Sequence, residues 1–239
     1  MKRLFLLIVM IPCLLVPSVL QADIIAVTDP AAFASAIAGR ATITEEFDST
    51  AVGTVIASST SLGGITFTYN WASGESLRVN DNNATNSGSN YLGATNGTGT
   101  PVDLRADTND IQLEPTTAFS AIGMFVITTA GNPPLVGDLR LESAGVVASL
   151  ARPPHATLDP SMDEVFFLGL YESNGAAMGA VDLVADTGAF GLDYRVDGIT
   201  YAGIGVPEPN FALLGSLMTM GGLFLRRRQA RSPEVPGIC

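Results

Sequence analysis

In GITFTYNW, residues 64–71, apolar Ile65, Phe67 and Tyr69 alternate with polar Thr66, Thr68 and Asn70. A period of two puts one face of a strand inward and the other toward water. DLRLESAGVVASL (138–150) has the pattern of a hairpin, with Leu139 and Leu141 facing in and Ser143–Gly145 making the turn. AFSAIGMFVITT (118–129) and EVFFLGLYES (164–173) are apolar on both faces, as central strands covered on each side would be. A last strand is predicted over AFGLDYRVDGITYA (189–202), where Phe190, Leu192, Tyr194 and Val196 alternate and Asp197-Gly198 bends the chain. Only TDPAAFASAIAG (28–39) reads as a helix, with Asp29 as its cap, Pro30 in its first turn and Gly39 closing it. The polar stretch 79–103, VNDNNATNSGSNYLGATNGTGTPVD, reads as a surface loop or a loosely held hairpin. Short strands, Gly/Asn/Thr-rich loops and one short N-terminal helix predict an all-β protein. The expected form is an antiparallel β-sandwich, jelly-roll-like, in which two packed sheets dispose of their edges.

The two ends break this pattern. MKRLFLLIVMIPCLLVPSVLQA (1–22) has basic Lys2 and Arg3, an apolar run from Leu4 to Leu20, and small Ala22 before Asp23. That is the layout of a secretory signal peptide, although Leu20 occupies a position where a small residue is usual; an uncleaved N-terminal anchor is the alternative. At the other end, Pro209–Leu225 is an uncharged run of 17 residues, closed by Arg226, Arg227 and Arg228. As a helix it measures roughly 25 Å, at the lower limit for a bilayer core of ~30 Å. Basic residues after such a span stay on the cytoplasmic side, so the body between the two ends is expected outside. The predicted division is signal peptide 1–22, exported β-sandwich 23–203, C-terminal device 204–228 and cytoplasmic tail 229–239.

Charge then narrows the partners. The exported body holds six arginines, at 40, 78, 105, 140, 152 and 195, and 21 of the 23 acidic residues, for a formal charge of −15. Such a surface repels phosphate backbones, so no nucleic-acid partner is expected. Lys2 is the only lysine and leaves with the signal peptide, which removes Schiff-base and phosphate-loop lysine chemistry from the body. Cys13 and Cys239 lie outside it too, so it has no disulfide and no thiolate site. His155 is the only histidine, and a two-histidine zinc site is excluded.

Val206-Pro207-Glu208-Pro209, followed by a short Gly/Leu-rich span and the arginine cluster, resembles the PEP-CTERM sorting signal of exported bacterial proteins. The resemblance covers about 23 residues. It implies recognition and cleavage by exosortase, an integral-membrane cysteine protease, after passage through the secretory translocon. It also implies a setting of exopolysaccharide production and envelope or biofilm-matrix assembly. The chain would be held in the cytoplasmic membrane only transiently and then reach the cell surface or extracellular matrix. QARSPEVPGIC (229–239) departs from the pattern, since such signals commonly stop soon after the arginines. More loosely, ITEEFDSTAVGTVI, LGGITFTYN and FGLDYRVDGITYA resemble the openings and closing strand of the uncharacterised β-sandwich bodies of this class.

The body offers few chemical candidates. Trp71, Tyr69 and Tyr91 are the flat aromatic residues that could stack on sugar rings, with Tyr69 read as core and Trp71 and Tyr91 as the stacking candidates. Asp81, Asn83, Asp107, Asn109 and Asp110 gather hard oxygen ligands in loops and are the candidate site for a structural calcium. A serine hydrolase would have to use His155, and the chain has no G-x-S-x-G elbow. Glu114 or Glu172 with Asp163 or Glu164 would be the carboxylates of a glycosidase, if a pair stood within ~5–10 Å. The expectation is therefore a non-enzymatic structural or adhesive protein with polysaccharide binding; the alternative is a carboxylate-dependent glycan hydrolase or lyase.

Overall fold

The computed structural model describes residues 23–72, 74–105, 110–130, 136–185 and 193–204. The predicted signal peptide, residues 205–228 of the predicted C-terminal device and the predicted tail therefore lie outside the described residues, as do Phe190 and Leu192 of the last predicted strand. In chain order the elements open with β1 (Ile24–Val27), α1 (Pro30–Ala36), β2 (Thr42–Glu45), β3 (Val55–Ile56), β4 (Thr60–Leu62), β5 (Ile65–Thr68), β6 (Ser76–Asn80), β7 (Tyr91–Thr95) and β8 (Pro101–Val102). They continue with β9 (Leu104–Arg105), β10 (Ile111–Pro115), β11 (Phe119–Thr128), β12 (Leu139–Ser143), β13 (Val146–Ser149), β14 (Ala156–Leu158), β15 (Asp163–Glu172), β16 (Val181–Ala185) and β17 (Asp193–Gly203).

These strands make two antiparallel sheets. The larger runs β1-β15-β11-β17-β7-β6-β3, with β2 and β9 also on β17, β8 on β7 and β14 on β15. The smaller runs β13-β12-β16-β10-β5-β4. Alternation decides which side chains meet between them. Ile122, Met124 and Val126 of β11, Phe166, Leu168 and Leu170 of β15, and Tyr194 and Val196 of β17 enter one core with Ile65, Phe67, Ile111, Leu113, Leu139, Leu141, Val181 and Leu183 of the smaller sheet. The protein is an antiparallel β-sandwich, as the hydrophobic pattern predicts. The predicted hairpin is present as well: Ser143 pairs with Val146, and Ala144-Gly145 turn between them with φ of 48° and 82°.

The central strands are buried on both faces because the outer face of the larger sheet has two covers. One is α1, capped by the Asp29 carboxylate on the Ala31 amide at 2.8 Å. Its Phe33 packs into a small apolar layer with Ile37, Ala121, Phe167 and Ala202. Gly123 and Gly169 pair across β11 and β15 and leave the space that Phe33 fills. A Cβ on Gly169 would stand 2.9 Å from both the Phe33 and Phe167 rings, and one on Gly123 would stand 2.6 Å from Phe167. Glycine in these two strands is thus a packing requirement of the helix.

The second cover is residues 81–90, DNNATNSGSN, which lie over the other half of that face. Here the loose-loop expectation for 79–103 is corrected. Its middle is β7, buried at all five positions and hydrogen-bonded between β17 and β6. The polar residues before β7 form a strap tied down by carboxylates. Asp197 accepts the amides of Asn86 and Ser87 at 2.8 and 2.7 Å, and Asp48 accepts those of Ser89 and Asn90 at 2.8 and 2.9 Å. Backbone amides that would otherwise seek water are satisfied by side chains from the framework.

Register also fixes the two poles. Ile25, Tyr171, Ala121 and Ala202 stand in one row across β1, β15, β11 and β17, so the chain enters and leaves the sandwich at the same end. Arg40 holds that end together, donating to Ser120 Oγ at 2.9 Å and to the Glu172 carbonyl at 3.1 Å, while Ser120 Oγ donates to the Gly203 carbonyl at 2.6 Å. The start of β10, the end of β16 and the start of β17 lie at the opposite pole. Substituting Gly169 by Ala should cost about 1–3 kcal/mol through overpacking. In a double-mutant cycle read by urea denaturation, trimming Phe33 to Leu should recover part of that loss; strictly additive losses would show that the two residues do not share this space.

Candidate functional site

At the pole away from the termini, the chain leaving β5 turns through Tyr69, Asn70 and Trp71. Tyr69 continues the alternation of β5, and its hydroxyl donates to the Ile56 carbonyl at 2.5 Å. The Tyr69 ring thus closes the end of the sandwich against β3. Trp71 stacks on it, with ring centroids 4.2 Å apart and planes tilted by 33°. Its indole N–H donates to the Asp110 carbonyl at 3.0 Å, which fixes the ring in place and leaves it half-buried at the rim.

Beside Tyr69 opens a hollow of about 410 Å³, lined by Thr68, Tyr69, Asn70, Asp110, Gln112 and Asp182, with Ile111 and Val184. Trp71 contributes to it through its stack on Tyr69 rather than as a lining residue. Gln112 and Asp182 face each other from adjacent strands, and the Gln112 amide donates to Asp182 Oδ1 at 3.0 Å. That bond orients the two groups and leaves the Asp182 Oδ2 and Gln112 Oε1 acceptors for a guest. Asp110 is less available, because its Oδ1 accepts the Ala185 amide at 2.9 Å. A rigid aromatic surface beside planar amide and carboxylate groups is the chemistry that recognises a polyhydroxylated ring, apolar on its face and polar at its edge.

The other stacking candidate does not reach the surface. Tyr91 is 0% exposed on the outer face of the larger sheet. The Arg195 guanidinium lies 5.6 Å from its ring centroid, and its hydroxyl donates to Asn82 Oδ1 at 2.6 Å. Burial and the nearby Asp103 raise its phenol pKa above the usual value. Tyr91 is corrected from a ligand platform to a structural residue of the strap.

The calcium candidates are not brought together. Asp107 and Asn109 lie outside the described residues. Asn83 belongs to the strap, donating to Tyr91 Oη at 3.1 Å and to Asp103 Oδ1 at 2.9 Å. Asp110 immediately precedes β10 of the other sheet, and Asp81 is exposed just after β6. The proposed carboxylate pairs are separated by their strands. Asp163 and Glu164 stand at one end of β15 and Glu172 at the other, roughly 25–30 Å away at ~3.3 Å per residue. Glu114 is exposed on β10 of the smaller sheet, whereas Asp163 is paired with Arg195 at 2.5 Å and Glu164 with Arg152 at 2.9 Å. His155 borders a different hollow of about 410 Å³ with Asp29, Arg152, Phe166 and Phe167, and no serine lines it.

Sequence reasoning missed the polar node under the strap. Arg195 and Asp197 sit on β17 between core residues Tyr194, Val196 and Ile199, and alternation turns both to the outer face. Arg195 is 1% exposed and donates to Asp163 Oδ2, to the Ala84 carbonyl at 2.7 Å and to Asp103 at 3.5 Å. Burial opposes the charge of Asp163, but the Arg195 hydrogen bond and the Ala130 amide hold its pKa below the ordinary carboxylate value. Asp197 is different. Its burial outweighs the donors on Ser87 and Asn86, the nearby Asp48 charge adds to the rise, and the pKa is pushed up to about 6. The signal for both was a charged pair in a strand that should be covered on each face.

The sign of the pH effect follows from that upward shift. Stability contributed by protonated Asp197 is full below the unfolded carboxylate pKa of ~3.9 and is lost as pH rises through about 6. Relative to Asp197→Asn, the wild-type protein should therefore lose up to about 3 kcal/mol between pH 4 and 6.5 and then level off. Thermal unfolding of both proteins across that range checks it, and a flat difference would place Asp197 in water. No protein-family model matches the chain, and no curated protein matches it.

Proposed function

We propose that the protein is an exported envelope or extracellular-matrix component that binds polysaccharide through the cleft beside the Tyr69–Trp71 stack. The observation that carries this reading is the Trp71–Tyr69 stack beside the Gln112–Asp182 pair. Aromatic ring and hydrogen-bonding edge are held at one rim by the backbone of both sheets, so little ordering is needed on binding. The finer architecture fits such a role: a jelly roll, in which the chain passes repeatedly between two sheets, presents its loops at the poles. Delivery rests on the sequence of the ends. The leader at 1–22, the Val206–Pro209 motif, the apolar run and Arg226–Arg228 support export through the secretory translocon, transient anchoring and cleavage by exosortase.

Both halves of the proposal are testable. Trp71→Ala should weaken binding to a neutral oligosaccharide about tenfold in titration calorimetry while leaving the circular dichroism spectrum unchanged. Retained affinity would remove the cleft from the binding site. In cells that express exosortase, the wild-type chain should be shortened at its C-terminus and Glu208→Ala should accumulate uncut. If the C-terminal span stays on both proteins, the sorting reading fails.

A further inference from the structure

The body carries a large negative charge, and its cations are already occupied. Arg195 is spent on Asp163 and Asp103, and Arg40 on Ser120 and the Glu172 carbonyl. Arg152 grips Glu164 through two hydrogen bonds of 2.9 Å, and Arg78 donates to the Gly99 carbonyl at 2.9 Å. Arg105 also has a partner and lines a hollow with the acidic Glu75, Asp103 and Asp193. Arg140 stands opposite the cleft-lining Val184 in register, and its guanidinium binds Glu142 and the Gly137 carbonyl.

Among the described residues, the charged groups lining the cleft are Asp110 and Asp182, and both are acidic. Along β16 and β12 the acidic character continues, since Asp182 faces Glu142 in register. A ligand carboxylate or sulfate placed there would lose water without gaining a cation, and would meet at least one carboxylate at short range. Hydroxyl or ammonium donors would instead find the Asp182 and Gln112 acceptors.

We infer that the cleft beside the Tyr69–Trp71 stack selects uncharged or amino-bearing glycans and rejects uronate-bearing or sulfated ones, with Asp182 as the residue that sets this preference. This rests on the polysaccharide-binding reading above and narrows its ligand class. It also separates recognition from simple charge attraction to an acidic matrix polymer, which this surface would repel.

The test uses the full-length protein in mild detergent with three probes of equal length: a neutral cello-oligosaccharide, a chitosan oligomer and an oligogalacturonate. At about 50 mM salt, the neutral and amino probes should bind in a Trp71-dependent way, with the galacturonate at least about tenfold weaker. Asp182→Asn keeps the shape and removes the charge, and should raise the ratio of galacturonate to neutral affinity by about threefold or more. Raising the salt should narrow the difference for the wild-type protein. Galacturonate binding that depends on Trp71 and equals or exceeds the neutral probe would overturn the selectivity and leave the binding reading standing. Absence of binding by all three probes, or binding indifferent to Trp71→Ala, would overturn the binding reading and this inference with it.

Discussion

A buried guanidinium organises one half of this molecule. Arg195 sits on a central strand, out of contact with water, where an unpaired charge would cost several kcal/mol. Its partners come from four places in the chain: Asp163 at the start of β15, Asp103 between β8 and β9, the Ala84 carbonyl in the strap, and the Tyr91 ring on β7. None of these is a sequence neighbour, so the cation is satisfied only when the sheet is assembled and the strap is down. The strap in turn buries Asp197, which stands two residues along on the same strand. Arg195 is therefore less a source of stability than a condition on the fold, because partial structures leave its charge exposed to a poor environment.

The outer face of the larger sheet shows two solutions to the same problem. A sheet with both faces dry must be covered, and α1 covers its half with an aromatic ring lowered onto paired glycines. The strap covers the other half with backbone, and backbone requires hydrogen-bond partners. Asp48 and Asp197 supply them, and the strap's own Asn90 side chain donates outward to the Phe47 and Thr50 carbonyls at 3.3 and 3.1 Å. Apolar packing and polar satisfaction thus stand side by side on one surface. The two poles divide the remaining work. The start of β1 and the end of β17 lie beside Arg40, and the aromatic cleft opens at the far end.

Much of the fold was legible because its strands obey simple alternation. Ile65 and Phe67, Leu139 and Leu141, and the doubly apolar runs around Met124 and Leu168 were readable, as was the Asp29 cap of α1. Trp71 was readable as a rim residue because it continues the phase of a strand that has just ended. Tyr91 was misread because it follows a ten-residue stretch in which eight are polar, and composition gave no hint that it would be folded back as a lid. Asn83 and Asp110 were grouped as oxygen ligands by type, yet one lies in the strap over the larger sheet and the other just before β10 of the smaller sheet. Gln112 and Asp182, 70 residues apart, were invisible as a pair until register placed them opposite one another.

The sequence by itself determined an all-β body with a short capped helix, its strongly acidic charge, the absence from it of lysine, cysteine and a second histidine, and the layout of its two ends. These follow from composition and local periodicity, which need no knowledge of distant neighbours. Tertiary structure decided which polar residues are exposed and which are interior. It buried Arg195, Asp197 and Tyr91, held the Asp163 and Glu172 carboxylates at opposite ends of one strand, and set Trp71 against Tyr69 beside Gln112 and Asp182. The reason is physical: a side chain's partners across a sheet are fixed by register and by what covers each face, and both are settled only when the whole core assembles.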